Sequence, residues 1–278
     1  MAAELSLLAL EGDGIGPEIV QATLDTLDAL RPCLSRKVSV MRETIGFAAL
    51  ADHGSTIPDR VIRAARSADG VILGPVSHNA YPPRAEGGLN PSGVLRKSLD
   101  LYANIRPARV WPGIDCVADG ATDLIVVREN LEGFYADRNM HEGPGEFSPV
   151  PGVALAMRRI TEAASRRIAE TTFQIAQTRA TKRVTAIHKA NVMRLSDGLF
   201  LDTVRDVAKA HPGVTYDEML VDAAAAHLVR HPQTFDVLVT TNMFGDILSD
   251  LASELCGGLG LAGSLNAGPA TAAAQAQH

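Results

Sequence analysis

The sequence predicts an α/β protein built on a mostly parallel sheet. Short apolar strand formers alternate with longer helical patterns along the chain, the order that βαβ units produce. The chain has 278 residues, room for one large domain or two ordinary ones at about 150 residues each.

The first strand is LSLLAL at 5–10, followed by a glycine-rich turn and a helix at 17–30. That helix starts on Pro17, a residue suited to the first helical position. KVSVM (37–41) and GVILG (70–74) read as the next strands, with a helix at 58–67 between them. ANIRPARV (103–110) and DLIVV (123–127) follow, and a helix at 161–178 separates them from RVTAI (183–187). Helices at 196–210 and 222–230 flank VTYDEMLV (214–221), and FDVLVT (235–240) leads into a helix at 243–255. HEGPGEFSPVPG at 141–152 breaks the rhythm, and between strand-like flanks it reads as a linker, a projecting arm or a hairpin. The Ala-rich stretch AGPATAAAQAQH is expected to form neither strand nor helix.

Composition narrows the function classes. Hydrophobic residues make up 46% and charged residues 21%, the balance of a globular protein. A net charge of −6 and only 4% aromatics argue against nucleic acid as a partner. An anionic ligand would therefore need a few placed arginines. Cys33, Cys116 and Cys256 fall in no CxxC spacing and read as reduced thiols. No apolar run approaches the ~20 residues that cross a bilayer, and MAAELSLLALEGDG has no basic leader, so the expected compartment is the cytoplasm.

EGDGIGPEIV places glycines at 12, 14 and 16, so the third is misplaced for GxGxxG and the stretch reads as a tight strand–helix turn. Most arginines are solvated surface residues, but Arg106 and Arg128 lie in or at the end of strands, where a guanidinium fork suits a carboxylate or a phosphate. With Arg96 they could form an anion pocket. Partial desolvation at a strand end makes Lys189 a candidate base, set against a lysine that snorkels to solvent. Tyr135 reads as a half-buried aromatic and Asp222 as a helix N-cap. Asp246 and Asp250, four apart on one helix, repel each other. Either they share a divalent cation, or Asp246 caps the helix while Asp250 faces solvent.

Together, GDGIGPE, LRKSLDLYANIRP, VVRENLEGFY, HKANV, VDAAAAHLV and NMFGDILSDLASELCGGLGLAGSLN resemble the β-decarboxylating dehydrogenases from about residue 7 to 278. That family holds the isocitrate, isopropylmalate, homoisocitrate and tartrate dehydrogenases. The resemblance implies a two-domain isopropylmalate-dehydrogenase-like fold, not a Rossmann fold. Residues 1–103 plus 253–278 would form a larger cofactor-side domain, and 104–252 a smaller dimerisation domain with an arm near 135–160. It also implies a homodimer with shared active sites.

Carried over by position, the resemblance assigns the carboxylates of a hydroxy-di- or tricarboxylate to Arg96, Arg106 and Arg128, with Ser92 also on the substrate. Mg²⁺ or Mn²⁺ would sit on Asp246 and Asp250 with the partner's Asp222. Lys189, also from the partner, would help remove the hydroxyl proton, and Tyr135 would protonate the product. Asn191, Ile15 and His278 would lie on the side of NAD, with NADP the other choice. Two departures bear on these expectations. His278 matches the residue that opens the family's adenosine loop, so the sequence reads as C-terminally truncated. In LNPSGVLR, Ser92 and Gly93 stand where isopropylmalate enzymes place apolar side chains, which favours a polar or small substituent over isopropyl. Asn90 and Ser92 reverse the Ser-x-Asn order of isocitrate enzymes, so neither pattern is matched. The alternative is a noncatalytic regulatory-like paralogue or an inactive truncated remnant.

Overall fold

The computed structural model describes residues 4–135, 140 and 145–276. His278, expected on the cofactor side, lies outside the described residues, as do 136–139 and 141–144 of the expected arm. The chain divides into two compact units, Met1–Leu101 with Gly263–His278, and Tyr102–Ala262.

In chain order the first unit begins with β1 (Leu5–Leu10), α1 (Gly16–Leu30), β2 (Val38–Glu43), α2 (Gly46–His53), α3 (Asp59–Ser67), β3 (Gly70–Leu73) and α4 (Pro91–Ser98). The second unit holds β4 (Ala103–Arg109), β5 (Asp123–Glu129), β6 (Glu146–Val150), β7 (Val153–Ala156) and α5 (Glu162–Thr178). It continues with β8 (Arg183–His188), α6 (Ser196–Lys209), β9 (Thr215–Leu220), α7 (Val221–Arg230), β10 (Val237–Thr240) and α8 (Asn242–Leu255). The chain then returns to the first unit with β11 (Gly263–Ala267) and β12 (Ala272–Ala276).

In the first unit β1 pairs in parallel with β2 and β3, β3 in parallel with β12, and β12 antiparallel with β11. Leu8, Leu10, Val71 and Leu73 from the strands meet Val61 and Ala65 of α3 and Leu95 of α4 in one core. The glycine-rich turn is a crowded strand–helix junction. Gly12 has φ +76°, and a Cβ there would strike the Pro75 carbonyl oxygen, so only glycine fits. Asp13 organises the same turn by accepting from Phe47 N at 2.8 Å, Ser77 N at 2.9 Å and the Tyr81 hydroxyl.

In the second unit β10 lies in parallel between β5 and β8, β8 pairs in parallel with β9, and β4 is antiparallel to β5. Phe244, Leu248, Ala252 and Leu255 recur at helical spacing on α8 and are buried, which leaves a second face for Asp246 and Asp250.

Several features depart from the sequence reading, and one decides between its alternatives. The Ala-rich end carries β12, because β3 and β11 supply ladders on both sides that Ala's weak strand preference does not announce. α2 and α4 are short helices that the periodicity missed. Residues 146–156 form a hairpin of exposed strands, the arm-or-hairpin alternative. The boundary expected at 252/253 falls inside α8, and the second unit runs to Ala262, with Val117 N and Ala118 N both donating to Leu255 O.

Candidate active site

Antiparallel pairing sets Asn104 of β4 opposite Arg128 of β5, so Asn104, Arg106 and Arg128 share one face of the sheet. α8 covers that face. Arg128 is 2% exposed and Arg106 7%, and each is held by a buried amide. Arg128 Nε donates to Asn242 Oδ1 at 2.9 Å, and Arg106 Nε donates to Asn104 Oδ1. The terminal nitrogens then reach the aspartates. Arg106 Nη1 lies 3.0 Å from Asp250 Oδ1 and 2.7 Å from Ser249 Oγ, and Arg106 Nη2 lies 3.3 Å from Asp246 Oδ1. Arg128 Nη1 pairs with Asp246 Oδ1, and the Tyr135 hydroxyl donates to Asp246 Oδ2.

The neighbouring cations and burial explain the electrostatics. Burial, then the Arg128 charge, pulls the Arg106 pKa below its usual value, while Asp246 and Asp250 oppose both. Burial raises the Tyr135 pKa; the Arg128 charge opposes it, and the bond to Asp246 adds to it. Arg128's guanidinium stands 5.2 Å from the Tyr135 ring centroid. In this chain, then, two arginines relieve the repulsion between Asp246 and Asp250.

Lys189, at the end of β8, forms a second cluster. Its Nζ lies 2.6 Å from Asp222 Oδ1 at the start of α7, and this bond holds the exposed Asp222 carboxyl below its usual range. Among the described residues no group of three or more His, Cys, Asp or Glu side chains is placed to hold a metal. Asp222 thus does not join Asp246 and Asp250 within one chain. Two half-exposed carboxylates one turn apart still fit Mg²⁺ or Mn²⁺, which take one or two carboxylates and complete their shell with water or ligand oxygens.

The remaining candidates are placed as follows. Asn191 is exposed in the loop after β8, and Ile15, 55% exposed, precedes α1 in the first unit. Ser92 is buried near the start of α4, its hydroxyl donating to Gln275 Oε1 at 3.1 Å, and Arg96 lies in the last turn of α4. Sequence reading missed Asn104, Asn242, Ser249 and Gly245. The signal for Asn104 was its spacing of two from Arg106, and for Asn242 its spacing of four from Asp246.

The family model for isocitrate/isopropylmalate dehydrogenase matches residues 6–278. The chain belongs to the isocitrate/isopropylmalate dehydrogenase family. It is 42% identical to a 3-isopropylmalate dehydrogenase of Sulfurisphaera tokodaii over 97% of this chain and 74% of that protein. It is 39% identical to an isocitrate/homoisocitrate dehydrogenase of Thermus thermophilus over 97% of this chain and 76% of that protein. The crystal structure of isocitrate dehydrogenase from Methylococcus capsulatus superposes with a TM-score of 0.86 at 37% identity, covering 99% of this chain and 77% of that one. The two-domain α/β dehydrogenase fold expected from the sequence is therefore the fold of this family member. No helix among the described residues is long and apolar enough to cross a membrane.

Proposed function

We propose that the chain oxidatively decarboxylates a 3-carboxy-2-hydroxyacid. Isocitrate is its first substrate, ahead of isopropylmalate, homoisocitrate and tartrate, with NAD as acceptor and NADP as the alternative. One observation carries this reading: two buried guanidiniums are aimed at two half-exposed carboxylates and a phenol. A di- or tricarboxylate matches the arginine forks, and small residues at Ser92 and Gly93 suit a carboxylate substituent better than isopropyl.

Arg106 and Arg128 bind and orient the substrate carboxylates. Tyr135, kept protonated by burial and by Asp246, donates its phenolic proton to the carbon that has lost CO₂. Lys189, supplied by a second copy, takes part in removing the hydroxyl proton. Asp246 and Asp250, with Asp222 of a second copy, would hold Mg²⁺ or Mn²⁺, which when bound polarises the hydroxyl oxygen. NAD, to which the resemblance assigns Asn191 and Ile15, would accept the hydride. A homodimer is proposed on the same grounds. Val192, Leu195 and Ile247 are 68%, 91% and 59% exposed beside these residues in sequence, and apolar surface of this kind suits burial by a second copy.

Steady-state assays with the four acids, Mn²⁺ and either dinucleotide test the reading, with isocitrate expected to give the highest kcat/KM. Arg128→Lys should lower kcat/KM about a hundredfold, the scale of a charged hydrogen bond worth roughly 3 kcal/mol. Turnover of none of the acids, with Mn²⁺ still bound, would favour the noncatalytic alternative.

A further inference from the structure

Arg158 lies between β7 and α5, and its side chain is 7% exposed. Its partner Asp197, near the start of α6, is fully buried, with Oδ1 2.5 Å from Arg158 Nη1. The other oxygen, Oδ2, accepts the Lys189 backbone N–H at 2.6 Å. Arg158 Nη2 donates to Thr241 Oγ1 at 3.0 Å, at the entry to α8. The same guanidinium stands 5.2 Å from the Phe134 ring centroid and 5.6 Å from that of Phe244. Phe134 precedes Tyr135, and Thr241 and Phe244 precede Asp246.

We infer that Arg158 and Asp197 are positioning residues that hold the lysine segment, which the proposed function lends to the second copy's cleft, rigidly against the tyrosine and aspartate segments of the chain's own cleft. The inference rests on the function proposed above. The hydrogen bonds and ring contacts just described join Arg158 to all three segments through neighbouring residues, while the reacting groups have partners of their own. Stability alone is a poor reason for such a pair, since apolar side chains of similar volume often replace a buried ion pair without loss. Fixed donors and acceptors do what apolar packing does not: they set the register of three loops against one another. Where each cleft draws its lysine from the other copy, that register sets the lysine given to one cleft relative to the tyrosine and aspartates of the other. A misplacement of about 1 Å costs on the order of a hundredfold in rate.

The test uses the full chain with Arg158→Met, Arg158→Lys and Asp197→Asn. With isocitrate, Mn²⁺ and NAD, kcat should fall roughly tenfold to a hundredfold while KM moves less than about twofold. Amide hydrogen exchange reads the tie without any turnover, so it separates failure of this inference from failure of the proposed activity. Arg158→Met should speed exchange in 188–193, 134–135 and 241–246 together. Arg158→Lys keeps the charge but loses the fork; it should protect the lysine segment and still loosen the start of α8, and it serves where Arg158→Met fails to fold. Loosening confined to one segment would overturn the inference. So would a lower Tm with kcat unchanged.

Discussion

Arg128 and Asp246 form an ion pair in which the arginine is 2% exposed and the aspartate 32%. The asymmetry sets the roles of the two residues. The guanidinium is locked by Asn242 behind it, whereas the carboxylate faces solvent and can exchange partners. An incoming anion therefore meets a cation already desolvated and oriented, and an incoming cation meets a carboxylate still accessible.

Removing Asp246 should thus cost stability as well as activity. Stripping one partner from a fully buried pair costs about 3–5 kcal/mol; because Asp246 is one-third exposed, Asp246→Ala should lose roughly 1–3 kcal/mol. Urea denaturation reads the loss, and a variant as stable as the parent would show that water or another group already satisfies Arg128.

Asp250→Asn separates metal binding from that structural effect. If the aspartates share the cation, Mn²⁺ at a hundred times its Kd raises parental stability by about 2.7 kcal/mol, and Asp250→Asn should abolish the increment. Persistence of the full increment would remove Asp250 from the metal site.

Gly245 is the point at which α8 rests on Arg128. A Cβ there would lie 2.6 Å from Arg128 Cβ and 2.7 Å from its Cγ, and Arg128 has nowhere to retreat. Gly245→Ala should cost about 1–3 kcal/mol by overpacking and should raise the KM for isocitrate. An unchanged Tm and KM would mean that the helix shifts without strain.

These close approaches explain what was legible in the sequence. The alternation of LSLLAL, DLIVV and FDVLVT with helical patterns marked the sheet, since apolar runs and caps are local signals. Arg106, Arg128, Asp246 and Asp250 stood out as charges inside apolar segments. That the arginines neutralise the aspartates was not legible, because the pairing depends on the β4–β5 register and on α8 crossing that face. Asp197 carries no distinguishing signal in the sequence. Its burial against Arg158, 39 positions away, is a purely tertiary fact. The strand β12 escaped because alanines carry no strand pattern of their own.

Glu129 gives a pH signature. Burial pushes its carboxyl up to about 7, while backbone N–H groups of Glu132 and Leu131 pull the other way. The folded state therefore holds this proton above the pKa of an unfolded glutamate, about 4.3. The associated stability is complete below that value and is lost as pH rises toward 7, on the order of 3 kcal/mol in all. Glu129→Gln keeps an acceptor for the two amides and binds no proton, so its stability should be flatter from pH 5 to 7. An identical slope in parent and variant, by urea denaturation at each pH, would assign the dependence elsewhere.

The last expectation concerns the second copy. Within one chain Lys189 is bonded to Asp222, while Tyr135 sits on Asp246. If each cleft takes its lysine from the partner, Lys189→Ala and Asp246→Asn homodimers are both inactive. Mixing them creates a heterodimer in which the Lys189→Ala chain supplies an intact aspartate and the other chain an intact lysine. One cleft is then whole and the other doubly impaired. Random exchange at equal amounts makes about half heterodimers, so activity should recover to roughly a quarter of the parent. Exchange must be verified independently, for example by mass spectrometry of differently tagged chains. Verified heterodimers without activity would mean that lysine and aspartates serve the same cleft from one chain.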